Sequence, residues 1–454
     1  MIIALSALVF LSVVVMTARL RTYDSFVSPP MIFGFATLYY LVGVPLELHL
    51  RGWTEVVLQG GQGYVMDDGM KIRVLLVALI SYLSFSLAYS ATIDKSHKIG
   101  EIYPSAFADR RTVWVLLGSF AFLVGILVLR YSSNLIAASD YEANVAQGYE
   151  NSTYALLLRF AIVVGGAVAF YLLAFGIGIS RPIGLVVVAL MIGWSVWSND
   201  KDSMLVGALA LSGLYVRHSE RFKSRLALML ALGGGVVGSA VIVVVYSVNR
   251  GGNTRTVGQV TQSSGFFTST EPSGPMFSLV NTLDKSGSAS LDYNYGSSFL
   301  TGLFQWVPRS VWPGRPTDLS EQFARDNMND WRPGQGFGYS LPAEGIQIWS
   351  YLGVVVLLAI CGYLVGKIRN ICFDPGNIST IALRLSVFYS AVMYVVFLSM
   401  RGPFSSSVST SVRYLILFAI VAALCRTSSE NSEVFGEKGV RRRAAAKMPV
   451  GVGR

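Results

Sequence analysis

Arg309 and Arg315 stand close together in the stretch 293–316, interleaved with Trp306, Trp312, Pro308, Pro313 and Pro316. Each proline lacks a backbone donor and restricts the residue before it, so the stretch predicts a stiff, irregular loop and not a regular helix. Guanidinium groups held in such a loop can grip phosphate oxygens through bidentate hydrogen bonds. The competing reading is a folded loop whose arginines only pair with nearby acids. More cations stand where apolar segments begin or end. They are Arg159, Lys201 in the turn Asn199-Asp200-Lys201-Asp202-Ser203, Arg250, Arg401 before Gly402-Pro403, and Arg413. Any one of them can simply snorkel to the headgroups. Several converging on one leaflet would instead suit a pyrophosphate whose lipid tail stays in the bilayer.

Glu344 lies in Gly338-Tyr-Ser-Leu-Pro-Ala-Glu344-Gly, just ahead of an apolar segment. Two readings stay open for it. It is a carboxylate placed at a helix start by the dipole, or a base facing a cavity. Asp318, Glu321 and Glu271 read as solvated loop charges. Trp306, Trp312, Tyr295 and Tyr339 offer ring faces for sugars, or else belong to the aromatic belt of the membrane interface. Histidine is limited to His49, His97 and His218, and cysteine to Cys361, Cys372 and Cys425. None falls in the long polar stretch 248–347, so neither a metal cluster nor a disulfide framework is implied there.

The elements that must hold these groups are apolar. Of 454 residues 53% are hydrophobic and only 14% charged, against about 25% charged in a soluble protein. With a mean hydropathy of +0.53, the chain reads as an all-α polytopic membrane protein. Apolar runs at 2–18, 31–49, 72–92, 112–129, 155–176, 182–198, 203–217, 226–247, 348–366, 378–400 and 409–425 predict about eleven spans. The first run is followed by Arg19 and Arg21, whereas a cleaved signal peptide carries its charge first, so it reads as a spanning helix. Alternate connections gather Arg19, Lys95, Arg110, Arg181, Arg217, Arg221 and Lys367 on one side, and Glu47, Asp67, Asp68, Asp140 and Glu150 on the other. Basic excess marks the cytoplasmic face. The net charge of +10 therefore sets orientation and is no sign of nucleic-acid binding. The expected organisation is eight spans over 1–247, one long outward loop with short helices over 248–347, three spans over 348–425, and a basic cytoplasmic tail, 426–454. The tail's composition predicts disorder and contact with anionic lipid.

Within 293–358 the order is Tyr295-Gly296-Ser297-Ser298, Pro308-Arg309, Trp312-Pro313, Arg315-Pro316, Glu344 and Tyr351-Leu352-Gly353. This pattern resembles the bacterial oligosaccharide repeat-unit polymerases, the Wzy-type O-antigen polymerases. The resemblance extends to the hydropathy plan of the whole chain and is sharp only over that stretch. The turn at 199–203 resembles a family position often filled by arginine. Here Lys201 keeps the charge and loses the bidentate fork. The resemblance implies a GT-C-like glycosyltransferase working on the periplasmic face of the inner membrane. Its donor would be a glycan on undecaprenyl pyrophosphate and its acceptor a newly flipped repeat unit on the same carrier. No cofactor or metal would be needed, and a chain-length-regulating co-polymerase would be a partner alongside membrane lipids. On this reading Arg309, Arg315 and Arg401 bind pyrophosphate, supported by Arg159, Arg250 and Lys201. Glu344 activates the acceptor, and Trp306, Trp312, Tyr295 and Tyr339 stack on sugars. A lipid-linked glycan ligase is the nearest rival, but those enzymes usually carry a histidine in the large outer loop, and 248–347 has none. A polysaccharide flippase would hold its charges nearer the midplane, and a scaffold of an envelope complex would have no use for them.

Overall fold

The structure is a computed structural model. Its described residues are 1–20, 27–58, 63–95, 110–137, 152–176, 179–198, 201–217, 265–268, 272–288, 290–305, 307, 311–314, 316–328, 338–374 and 378–445. Among them nine helices are long and apolar enough to cross a membrane. The one sheet there is a two-stranded antiparallel ribbon, β1 (Glu55–Val57) against β2 (Gly63–Val65). Large apolar side chains such as Phe10, Phe122, Leu129, Leu190, Leu352 and Leu415 face outward. Such a surface fits lipid as its solvent, in which helices satisfy their own backbone groups. The chain is an all-α polytopic membrane protein.

The spanning helices follow the apolar runs closely. They are α1 (Ile2–Leu20), α2 (Pro29–Thr37) continued through a π-turn into α3 (Gly43–Arg51), and α4 (Asp68–Thr92). Next come α5 (Arg110–Ala137), α6 (Ser152–Phe175), α7 (Ser180–Ser198) and α8 (Lys201–Arg217). Three short helices belong to the long loop: α9 (Ser273–Gly287), α10 (Ser297–Phe304) and α11 (Leu319–Asn327). The chain ends with α12 (Leu341–Phe373), α13 (Ile378–Val387) joined by a second π-turn to α14 (Met393–Leu398), and α15 (Phe404–Ala445).

Four expectations need correction or fall outside the described residues. The run 203–217 is helical, but its apolar stretch, Asp202–Leu214, is short for a bilayer. The run 226–247 lies outside the described residues, so the expected count of spans is not matched among the rest. The stretch 293–316 does contain a helix, α10, because it ends before Pro308 and holds no proline of its own. The basic tail is not irregular throughout, since α15 continues to Ala445. Glu, Lys, Arg and Ala are strong helix formers there, with Arg441, Arg442 and Arg443 near the C-terminus, where cations suit the dipole.

The bundle has two chemically distinct ends. At one, Arg181 and Arg217 both donate to the carbonyl of Gly176. There too Arg369 donates to Asp94 O, and Arg384 to the carbonyls of Ile371 and Asp374. Each arginine thus satisfies carbonyls left over at helix C-termini. At the opposite end lie the starts of α4, α8, α12 and α15, with the loop helices packed over them. There Glu47 receives the backbone N–H groups of Phe266, Phe267 and Thr268, fastening 265–268 onto α3.

Two glycine features position the site. Gly362-Tyr-Leu-Val-Gly366 is a small-xxx-small motif on α12. A Cβ on Gly362 would strike the Phe85 carbonyl, and one on Gly366 would lie 2.9 Å from Thr92 Cβ, so α4 and α12 approach backbone to backbone. α12 is also broken. Trp349 (φ −152, ψ 43) and Ser350 (φ 53, ψ −144) leave helical geometry, and the short piece 341–348 folds back on the spanning piece. A Cβ on Gly345 would sit 2.7 Å from Val354 Cα, and one on Gly353 would collide with Gly345 O. A straight helix would separate residues nine apart by about 13 Å.

Candidate functional site

Two polar clusters occupy the end opposite the arginine-capped carbonyls. The first is cationic. Arg159, from the first turns of α6, lies within electrostatic reach of Asp202, Arg401, Tyr394 and Tyr414. Its side chain keeps accessible surface. Arg159 makes no hydrogen bond or ion pair among the described residues. Arg401, in the turn after α14, reaches Asp202 Oδ1 at 3.5 Å. Two guanidinium groups from distant parts of the sequence therefore face one carboxylate. This cluster sits at the end of an apolar bundle, where a charge pair interacts more strongly than in bulk water.

The second cluster surrounds Glu344. Ser340 caps α12 by accepting the N–H of Ala343 at 3.3 Å, which sets Glu344 in the first turn. Its side chain is fully enclosed. Oε2 accepts the N–H of Phe404, at the start of α15, so this carboxylate caps a neighbouring helix, not its own. Ser298 stands beside it, yet neither the Ser298 hydroxyl nor Glu344 Oε1 completes a hydrogen bond of normal geometry. Asp318 caps α11 by accepting Glu321 N at 2.8 Å, and its other oxygen accepts from Ser406 Oγ at 3.2 Å. Arg413 donates to Gln305 O at the C-terminus of α10, a capping role.

Between these elements lies a polar cleft of about 110 Å³. Asn294, Ser298, Thr301, Gln322, Gln347 and Ser405 line it. Asn294 is held there by its own N–H, which donates to Gln347 O at 3.2 Å. Tyr295 and Gly296 both take left-handed backbone angles, φ 47 and φ 91. For a tyrosine that conformation is costly, and such strain is found where a side chain must be presented.

The aromatic candidates divide. Tyr295 is 73% exposed, with its ring 6.1 Å from that of Tyr293. Trp312 is partly exposed and meets Phe304 edge-on. Tyr339 is not a platform for sugars. It is buried, its ring packs against Phe323, and its hydroxyl is spent on Thr282 and Gln347 Oε1. That burial pushes its phenol above the usual range. Arg250, Trp306, Arg309 and Arg315 lie outside the described residues, and of Lys201 only the backbone, in the first turn of α8, is described. The structure thus brings Arg159 and Arg401 together and sets Glu344 apart from them, behind the polar cleft.

No family model matches the chain, and neither does a curated protein or a solved structure. Among the described residues no group of His, Cys, Asp and Glu is placed to hold a metal.

Asp202, Ser298 and Ser405 are site residues that sequence reasoning passed over. Asp202 was visible as a neighbour of Lys201 in a charged turn. Ser298 stands in the Tyr295–Ser298 motif without a role assigned to it, and Ser405, two residues after Pro403, looks like an ordinary residue at a helix start.

Proposed function

We propose that this protein is a membrane glycosyltransferase that polymerises undecaprenyl-pyrophosphate-linked oligosaccharide repeat units at the outer face of the bacterial inner membrane. The observation that carries the reading is the cluster in which Arg401 pairs with Asp202 and Arg159 lies within electrostatic reach of both, guanidinium chemistry suited to an anionic headgroup. The motif order over 293–358 supports it. The proposed orientation is supported by the opposite end, where Arg181, Arg217, Arg369 and Arg384 gather, since a Lys/Arg excess marks cytoplasmic connections.

In this reading the donor glycan enters with its lipid diphosphate at this cluster. A hydroxyl of the acceptor sugar forms a bond to the donor's anomeric carbon. The bond from that carbon to the diphosphate oxygen breaks, the diphosphate keeps the electron pair, and the hydroxyl proton passes to a base. Preorganised guanidinium groups stabilise the charge that develops on the leaving group, with Arg309 and Arg315 completing the set. Alignment of donor and acceptor supplies much of the remaining rate. The enclosure of Glu344 supports a positioning role, holding the start of α15 against the cleft, over direct contact with the acceptor.

The test is reconstitution in detergent with synthetic repeat units on undecaprenyl pyrophosphate. A ladder of lengthening glycans is expected, and Arg159→Ala should slow it by about 10²–10³-fold with the protein still inserted. A wild-type ladder from Arg159→Ala and Arg309→Ala alike refutes the cationic site. Transfer only to a different acceptor would mark a ligase, and movement of lipid with no new bond a flippase.

A further inference from the structure

The polar cleft between α10, α11, α12 and α15 is not used by the cationic cluster, and its chemistry is different. None of the side chains lining it carries a charge. The two nearby carboxylates are already committed as caps, Asp318 on α11 and Glu344 on the start of α15. The helix starts that would attract an anion therefore have their negative charge, and a phosphate in the cleft would face two carboxylates with no cation lining it. What remains is a set of neutral hydroxyls and amides, donors and acceptors mixed. Several are unspent. Among the described residues Ser405 Oγ, from a residue only 1% exposed, and Asn294 Nδ2 have no hydrogen-bond partner, while Ser298 Oγ, 5% exposed, stands beside Glu344 without a hydrogen bond of normal geometry. Buried polar groups are ordinarily paired, and an orphan hydroxyl costs about 1–3 kcal/mol. Two orphans and a poorly satisfied hydroxyl around one cleft are poor design for stability alone and good design for a ligand that brings its own hydroxyls.

We propose that this cleft is a subsite for one neutral sugar ring, read by Asn294, Ser298 and Ser405. Its volume, about four waters' worth of liquid, admits part of a ring and not a chain. Tyr295 stands exposed at the residue after Asn294, within reach of the next ring of a longer glycan. The proposal deepens the glycan-polymerase reading by giving the sugar a place apart from the diphosphate.

The test uses the full-length protein in nanodiscs and ligand-observed saturation-transfer NMR. The probes are methyl glycosides of glucose, galactose, mannose, N-acetylglucosamine and N-acetylgalactosamine, at tens of millimolar, with inorganic pyrophosphate as competitor. At least one glycoside is expected to bind and to stay bound when pyrophosphate is added. The double variant Ser298→Ala/Ser405→Ala should weaken that binding about tenfold, two hydrogen bonds being lost. Its melting temperature should be unchanged or higher, since Ser405→Ala removes an unpartnered hydroxyl and Ser298→Ala one that meets Glu344 only outside normal hydrogen-bond geometry. The proposal is overturned if no glycoside binds, if the double variant binds like the wild type, if pyrophosphate displaces the sugar, or if the double variant melts lower. Binding is read without turnover, so the two readings fail separately. Sugar bound here by a protein that builds no ladder sinks the polymerase and leaves the subsite. A ladder from a protein whose cleft takes no sugar does the reverse.

Discussion

Replacing Gly345 by alanine probes the folded-back start of α12, on which both Glu344 and Gln347 ride. The new Cβ would lie 2.7 Å from Val354 Cα and 2.9 Å from Val354 N. Both are backbone atoms of the same helix beyond its break, so neither can swing aside as a side-chain tip would. Reaching ordinary van der Waals separation requires the two pieces to part by about 1 Å. Overpacking of this kind costs about 1–3 kcal/mol. The displacement also moves Glu344 away from Phe404 N and Gln347 away from Asn294. If the site works as proposed, a shift of about 1 Å should cut turnover by about 10²-fold. Gly118→Ala and Gly125→Ala on α5 are the controls. A Cβ at either meets nothing within 4 Å, and the same change in an open helix should stabilise by about 0.5–1 kcal/mol. The assay is thermal unfolding in detergent followed by a thiol-reactive dye, with the glycan ladder read on the same preparations. One chemical change is thus expected to carry opposite signs at positions that differ only in what faces them. If Gly345→Ala melts with or above the α5 controls and keeps full turnover, the reversal at Trp349 and Ser350 is wrong, and Glu344 sits elsewhere.

Glu344→Gln keeps an acceptor for Phe404 N and is expected to hold stability and most turnover, whereas Glu344→Ala strands that N–H and should cost about 1–3 kcal/mol in chemical denaturation. A collapse of turnover in folded Glu344→Gln would restore the carboxylate as a base. Gly362→Leu should part α4 from α12, because even its Cβ meets the Phe85 carbonyl. Lower yield of monodisperse protein and a lower melting temperature in size-exclusion and dye assays would bear this out, and unchanged melting would contradict the close approach.

Most of the membrane architecture was legible because a bilayer imposes one rule on composition: long apolar segments must become helices. Nine of the runs read from hydropathy, from 2–18 to 409–425, recur as spanning helices within a few residues at most ends. Detail was lost where that rule is silent. The reversal at Ser350 is invisible because serine is no turn marker in an apolar run, and the two glycines that permit it look like ordinary small residues in a spanning helix. Proline reasoning was applied too broadly over 293–316, since three prolines gathered near its end do not reach back to Ser297–Phe304. Convergence was partly legible. Arg159 and Arg401, both placed at helix ends, lie within electrostatic reach of one another. Their shared acid, Asp202, and the enclosure of Glu344 depend on tertiary contacts that no spacing along the chain encodes. Tyr339 failed as an exposed ring for the same reason, since nothing local announces that Phe323 and Thr282 will cover it.

Asp202 meets Arg401 beyond the end of α14, and Glu344 holds the first residue of α15. Both polar centres are therefore closed by the last tenth or so of the membrane-embedded chain. A ribosome must finish, and the translocon must release, the final helix before either centre exists. A truncated or half-inserted copy would carry the arginines and serines but not their geometry. On the proposed function, nascent protein would in this way be kept from acting on lipid-linked substrates until its topology is complete.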